Sequence, residues 1–144
     1  MLIISMKTSI YRSTCVCALT GALGLLLNGV ALADSITNTT AGSTSWQVPD
    51  GVTSVTVQCW GGGGGGGGAL SSAGTTYGGG GAGGDYATDT VSVTPGDFYT
   101  ITVGAAGSSG YINVTTPVNG GLGGSSWFSN STTALVLALG GAGG

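Results

Sequence analysis

The sequence predicts an all-β protein: a small antiparallel β-sandwich-like sheet with extended, polyglycine II-like glycine tracts serving as loops or as a packed layer. Three observations carry this. Apolar residues alternate with polar ones over short runs, the two-residue period of a half-buried strand. No apolar stripe of helical period appears after residue 33. Glycine supplies 32 of the 144 residues, concentrated in runs between the strand-like segments.

Residues 1–33 read as a removable export signal peptide. Lys7 and Arg12 form a positive leader, the segment from Ser13 to Ala33 carries no charge, and Ala31-Leu32-Ala33 has the small-x-small form that signal peptidase accepts. Met6 is an alternative start, because MKTSIYRS is the more usual kind of leader. A retained anchor fits less well. Thr20, Gly21, Gly24, Asn28 and Gly29 interrupt a stretch that would need about 20 apolar residues to span a bilayer. Cys15 and Cys17 precede the apolar core, which is not where a lipid-attachment cysteine stands.

Cleavage after Ala33 would take both basic residues away. The expected mature chain, 34–144, keeps five carboxylates (Asp34, Asp50, Asp85, Asp89, Asp97) and no Lys, Arg or His, so its formal charge is −5 against −3 for the whole chain. Nucleic acid is excluded as a partner, since its binding needs cations to displace phosphate counterions. No membrane association is expected once the signal is gone. Leu, Ile, Val and Phe make up 20 of the 111 residues from 34 onward, below the roughly 20% that goes with disorder when net charge is high, which here it is not. One domain is the ceiling, and its core must be thin. Cys59 is the one cysteine left, to be buried in a strand or to serve as an intermolecular thiol.

Element by element, DSITNTTAGSTS is a Ser/Thr-rich flexible leader over 34–45, and order begins at Trp46. SWQVPDGVTSVTVQCW reads as two strands about Pro49-Asp50-Gly51, with Val55, Val57 and Cys59 on one face of the second. DYATDTVSVTPGDFYTITV reads as a second pair about a type II turn at Pro95-Gly96. Val91 and Val93 line one of its strands, and Tyr99, Ile101 and Val103 line the other. Shorter strands are expected at Tyr111–Val114 and Ser126–Phe128. Ala134–Leu139, apolar on both faces, is expected to be central. The glycine-rich β domain thus covers 46–144. Its last run, LGGAGG, brings no closing strand, as expected of a domain truncated at its C-terminus.

The glycine runs lie at 61–68, 78–84, 120–124 and 140–144. A flexible tether is the plainest reading, but tethers join modules, and these runs separate consecutive strands of one unit. Ordered glycine loses more backbone entropy than any other residue, so packed runs need an offset. Extended segments of three residues per turn can lie side by side and pair N–H groups with carbonyls of neighbouring segments. On this reading Gly61–Gly68 packs against the other runs and is capped by Trp60 and Tyr77.

Chemistry is poorly supplied. The octaglycine run contains G-x-G-x-x-G automatically, but no helix follows and no Lys is at hand to hold a phosphate. GGAGGDYAT, residues 80–88, starts like a calcium-binding nonapeptide, yet a single copy has no neighbour with which to share an ion. Without His or Lys, Ser-His-Asp, Cys-His and Ser-Lys arrangements are closed, and one Cys makes no zinc site. Asp85 and Asp89 on one strand face would stand about 13 Å apart, beyond the roughly 5–9.5 Å of glycosidase carboxylates. No enzyme, cofactor or metal is expected, and a hydrolase built on an Asp pair is the most distant alternative. Sequons begin at Asn38, Asn113 and Asn130.

SWQVPDGVTSVTVQCWGGGGGGGG, GGGGAGGDYATDTVSVTPGDFYTITVGAAG and GGLGGSSWF together resemble the glycine-rich domain of bacterial exported and surface proteins and of phage tail-tip or fibre proteins. The resemblance covers about residues 45–144. It implies a β-rich scaffold with glycine tracts and, in the phage relatives, an adhesive tip that contacts cell-surface glycans or proteins. Cys59 departs from the pattern, where a polar or small apolar residue is commoner. The signal peptide points to a cellular surface protein. The expected function is therefore a secreted or cell-surface structural or adhesive module, with cell-surface glycans or proteins as partners and self-association open to it. The alternative is a carbohydrate-binding module that uses Trp46, Trp60, Tyr111 or Trp127 as stacking platforms.

Overall fold

The computed structural model describes residues 1–8, 34–69, 77–113 and 116–144. The uncharged segment that reads as the signal core, and the cleavage point after Ala33, lie outside the described residues, as do Val114 and Thr115 of one sequon.

Two four-stranded antiparallel sheets pack face to face. One has the order β2 (Ser35–Asn38), β1 (Leu2–Thr8), β4 (Val52–Trp60), β5 (Tyr86–Ser92). The other has the order β10 (Ala134–Ala138), β9 (Ser126–Ser129), β6 (Phe98–Val103), β3 (Gly42–Gln47). A two-residue ribbon, β7 (Ile112–Asn113) with β8 (Thr116–Pro117), stands apart. The described residues contain no helix, and none is long and apolar enough to cross a membrane.

The alternation of the sequence sets the two inner faces. In β4, Val55, Val57 and Cys59 are buried while Ser54, Thr56, Gln58 and Trp60 are only partly covered. Opposite them β6 turns Tyr99, Ile101 and Val103 inward, β9 contributes Phe128, and β10 adds Val136 and Ala138. Phe128 has no exposed surface and stacks on Tyr99, with ring centroids 5.0 Å apart and planes within 6°. From β1, Leu2 and Ile4 join the same core, both fully buried.

Four readings need correction. Residues 34–45 are not a flexible leader, for they contain β2 and most of β3. Apolar content is not what orders them: β3 pairs with β6 in register from Gly42↔Val103 to Gln47↔Phe98, and the Ser43 and Thr102 hydroxyls meet at 2.8 Å.

Second, the turns at Pro49-Asp50-Gly51 and Pro95-Gly96 are not hairpin turns. Each carries the chain from one sheet to the other, because β3 and β6 belong to one sheet and β4 and β5 to its partner. Gly51 and Gly96 take φ of 80° and 85°, as type II geometry requires at that position. The two turns are stitched together: the Val48 amide donates to Asp97 O at 2.9 Å, and the Gly96 amide donates to Val48 O at 2.9 Å. Both crossings thus form one corner of the sandwich, with Val48, Val52 and Val93 buried around it.

Third, β10 is an edge strand rather than a central one, with Leu137 and Leu139 about half exposed. Its hairpin with β9 turns at Asn130, whose Oδ1 accepts from the amides of Thr132 at 3.0 Å and Thr133 at 2.7 Å. Fourth, the strand expected at Tyr111–Val114 begins only at Ile112, as half of the β7–β8 ribbon.

Candidate functional site

Five core strands run straight into, or emerge from, glycine-rich segments. Tract 1 (61–68) continues β4, tract 2 (78–85) leads into β5, tract 3 (104–111) continues β6, tract 4 (118–125) leads into β9, and tract 5 (139–144) continues β10. The tracts therefore form a second layer of structure set end to end with the sandwich.

Tract 1 is its axis. The amides of Gly61, Gly64 and Gly67 donate to the carbonyls of Asp85, Ala82 and Gly79 in tract 2, at 2.8–2.9 Å. Those of Gly62, Gly65 and Gly68 donate to Gly124, Gly121 and Val118 in tract 4, at 2.8–3.0 Å. In return Gly63 and Gly66 accept from Gly107 and Gly110 of tract 3, and Gly62 and Gly65 accept from Gly141 and Gly144 of tract 5. Partners change every residue and recur every third, which is a three-residue-per-turn helix bonded to four neighbours. The outer tracts also pair with one another. Gly124 and Gly121 donate to Ala105 and Ser108, Gly123 and Gly120 to Gly141 and Gly144, and Ala82 to Ala142.

Glycine is required because the neighbours' carbonyls occupy the space of a side chain. A Cβ at Gly62 would lie 2.8 Å from the carbonyl carbon of Ala105, and one at Gly65 would lie 2.5 Å from that of Ser108. At Gly63 and Gly66 the same Cβ meets nothing nearer than 3.7 and 3.5 Å, because these two residues face outward and are exposed. The same period explains where other residues enter. In tract 3 Gly104, Gly107 and Gly110 face the bundle, while Ala105, Ala106, Ser108 and Ser109 lie exposed between them. In tract 4 the glycine pairs 120–121 and 123–124 are packed, and Leu122 between them points out, 76% exposed. In tract 5 Ala142 takes the same place between 140–141 and 143–144.

The aromatic residues divide unevenly. Trp46 is half-buried on the core, with ring centroids 6.4 Å from Tyr99 and 6.1 Å from Phe128, so it is not a free platform. Trp60 packs on Tyr86 at 4.9 Å, on the paired strands where the sandwich meets the bundle. Of the two residues expected to cap tract 1, Trp60 thus has Tyr86 as its ring partner. The other, Tyr77, is 84% exposed. Trp127 is partly covered, on the face of β9 opposite Phe128. Tyr111 is 61% exposed. Tyr77 precedes tract 2 and Tyr111 ends tract 3, and both mark the end of the bundle remote from the sandwich, as do the β7–β8 ribbon and half-exposed Ile112. The structure thus adds Tyr77 to the exposed residues at that end.

Cys59 has no exposed surface, so its thiol is not open to a second chain in this fold. Burial pushes its pKa up to about 11, partly opposed by the charge of the nearby N-terminus. Asp34 and Asp89 each accept a hydrogen bond from the next residue's amide, at 2.8 and 2.7 Å. Among the described residues no group of three His, Cys, Asp or Glu is placed to hold a metal ion.

Fold and tracts define a class: a β-sandwich prolonged by a hydrogen-bonded bundle of glycine helices, with aromatic residues exposed at the far end. The family model described as glycine-rich domain matches residues 38–144, and the chain belongs to that family. Among curated proteins and among solved structures, none matches the chain.

Proposed function

We propose that the chain is an exported, non-enzymatic structural or adhesive glycine-rich module that acts at the cell surface. The observation that supports this most is the far end of the bundle. Tyr77, Tyr111 and Ile112 stand exposed there, on a scaffold whose glycine tracts are joined by backbone hydrogen bonds. Exposed tyrosines offer a large amphipathic contact area with few rotatable bonds to order, which suits adhesion to glycans or proteins. The lack of Lys, Arg and His after residue 33 leaves the hydroxyl and thiol side chains without the bases that usually activate them as nucleophiles. The leader pattern of residues 1–33 supports export.

The test is attachment of the purified, bead-coupled chain to cells, comparing the parent with a Tyr77→Ala/Tyr111→Ala variant. A loss of tenfold or more in attachment, with far-ultraviolet circular dichroism unchanged, is expected. Equal attachment by both would refute the reading. A carbohydrate-binding module is the second reading, favoured by the open ring of Tyr111. Competition by free sugar at the same end would establish it over protein-directed adhesion.

A further inference from the structure

The strand β1 has no part in the function just proposed, yet it is built into the sheet as an inner strand. It pairs with β4 from Leu2↔Cys59 to Thr8↔Val52 and with β2 from Leu2↔Asn38 to Ser5↔Ser35. Leu2 and Ile4 are fully buried in the same core as Val55, Val57 and Cys59. These residues also belong to the segment that export would remove. Cleavage after Ala33 would detach β2 from its neighbour, bare one edge of β4 along its length, and open a trough where Leu2 and Ile4 sit.

We propose that this trough is a strand-acceptor site: once the leader leaves, β4 and β2 bind an extended segment of a partner protein. The inference rests on the export reading above. The seated strand shows what such a segment must be. It runs antiparallel to β4, so that main-chain hydrogen bonds form on both sides, and it carries apolar side chains two residues apart to fill the places of Leu2 and Ile4. It also offers a hydrogen-bond acceptor near the Leu2 position. There the Nδ2 of Asn38 is buried without a partner among the described residues, an unfavourable state that a better-fitting strand relieves. A second copy of this chain is a poor source. Among the described residues its alternating strands β4, β5, β6, β9 and β10 are already paired within sheets, so donating one would mean unfolding the donor.

The test keeps the whole chain. A site-specific protease sequence placed within residues 9–33 is cut after folding, leaving residues 1–8 held only non-covalently. Fluorescent LIISMKT, the sequence of β1, should then exchange into the cut chain and not into the uncut one. The same peptide with Ile4→Asp should bind at least tenfold more weakly. Cys59, paired with Leu2, should become open to alkylation when the leader fragment is washed away and closed again under saturating peptide. Absence of exchange, equal binding of the Asp peptide, or a Cys59 that stays closed after leader removal would each overturn the proposal. Concentration-dependent dimerisation of the cut chain without peptide uptake would overturn the assignment to a partner protein. N-terminal sequencing of the exported chain examines the export reading separately. A mature start beyond residue 8 supports leader removal, and retention of residues 1–8 refutes it, whatever the peptide does in vitro.

Discussion

A single methyl group distinguishes a packed glycine bundle from a flexible tether. At Gly65 an added Cβ would lie 2.5 Å from the carbonyl carbon of Ser108 and 3.1 Å from Gly107 O, against ordinary contact from 3.4 Å. Tracts 1 and 3 would have to part by about 1 Å, since neither obstacle is a side chain that can rotate away. That displacement loosens the bonds that join the two tracts on either side of Gly65, from Gly107 N–H to Gly63 O, 2.8 Å, and from Gly110 N–H to Gly66 O, 2.6 Å. Each interrupted bond costs about 1–3 kcal/mol, so Gly65→Ala should destabilise by about 2–6 kcal/mol, a large share of the 5–15 kcal/mol typical of a domain. One residue on, Gly66 faces outward, its nearest obstacle is 3.5 Å away, and its φ lies outside the range that L residues avoid. Gly66→Ala should therefore be neutral or stabilise by about 0.4–1 kcal/mol through the unfolded chain. Urea unfolding of both variants, followed by the fluorescence of Trp46, Trp60 and Trp127, measures the difference. Equal midpoints for the two would refute the packing argument.

Other consequences can be measured the same way. Phe128→Ala removes the largest fully buried side chain among the described residues, one that stacks on Tyr99, and should cost about 3–5 kcal/mol. Leu122→Asn changes an outward position of tract 4 and should alter stability by less than about 0.5 kcal/mol. Cys59 binds its proton more tightly folded than unfolded, because burial raises its pKa from 9.0 to about 11. Its contribution is therefore full below pH 9 and lost as pH climbs from 9 to 11. Stability measured across that window should fall for the parent chain and flatten for Cys59→Ala.

Strand content and inner faces were legible because burial leaves a two-residue period, as in Val55, Val57 and Cys59 or Tyr99, Ile101 and Val103. Pairing was not. Pro49-Asp50-Gly51 and Pro95-Gly96 spell turns, but a turn alone does not say whether the next strand joins the same sheet or crosses to the facing one. The spacer at 34–45 reads as flexible because its order comes from backbone pairing with β1 and β6, which Ser and Thr side chains do not advertise. β10 reads as central because Leu137 and Leu139 are apolar, although both lie exposed at an edge.

The tracts carried a signal that was read too coarsely. Their overall composition has no fixed period, yet Gly104, Gly107 and Gly110 repeat every third residue, and the pairs 120–121, 123–124, 140–141 and 143–144 do the same. Each tract's share of glycine follows how many of its three faces are packed: one in tract 3, two in tracts 4 and 5. Of the aromatic candidates, Tyr111 stands open, whereas Trp46 packs on the core and Trp60 on Tyr86. Sequence could not separate these, since both kinds of position lie beside glycine.

Residue-resolved amide hydrogen exchange along tract 1 tests the central claim most directly. Gly61, Gly62, Gly64, Gly65, Gly67 and Gly68 donate to neighbouring tracts, whereas the amides of outward-facing Gly63 and Gly66 have no backbone acceptor among the described residues. Protection should therefore rise and fall with a three-residue period, slow at the six donors and fast at the two exposed positions. Uniformly fast exchange over residues 61–68, at the rate of an unfolded glycine peptide, would contradict the account.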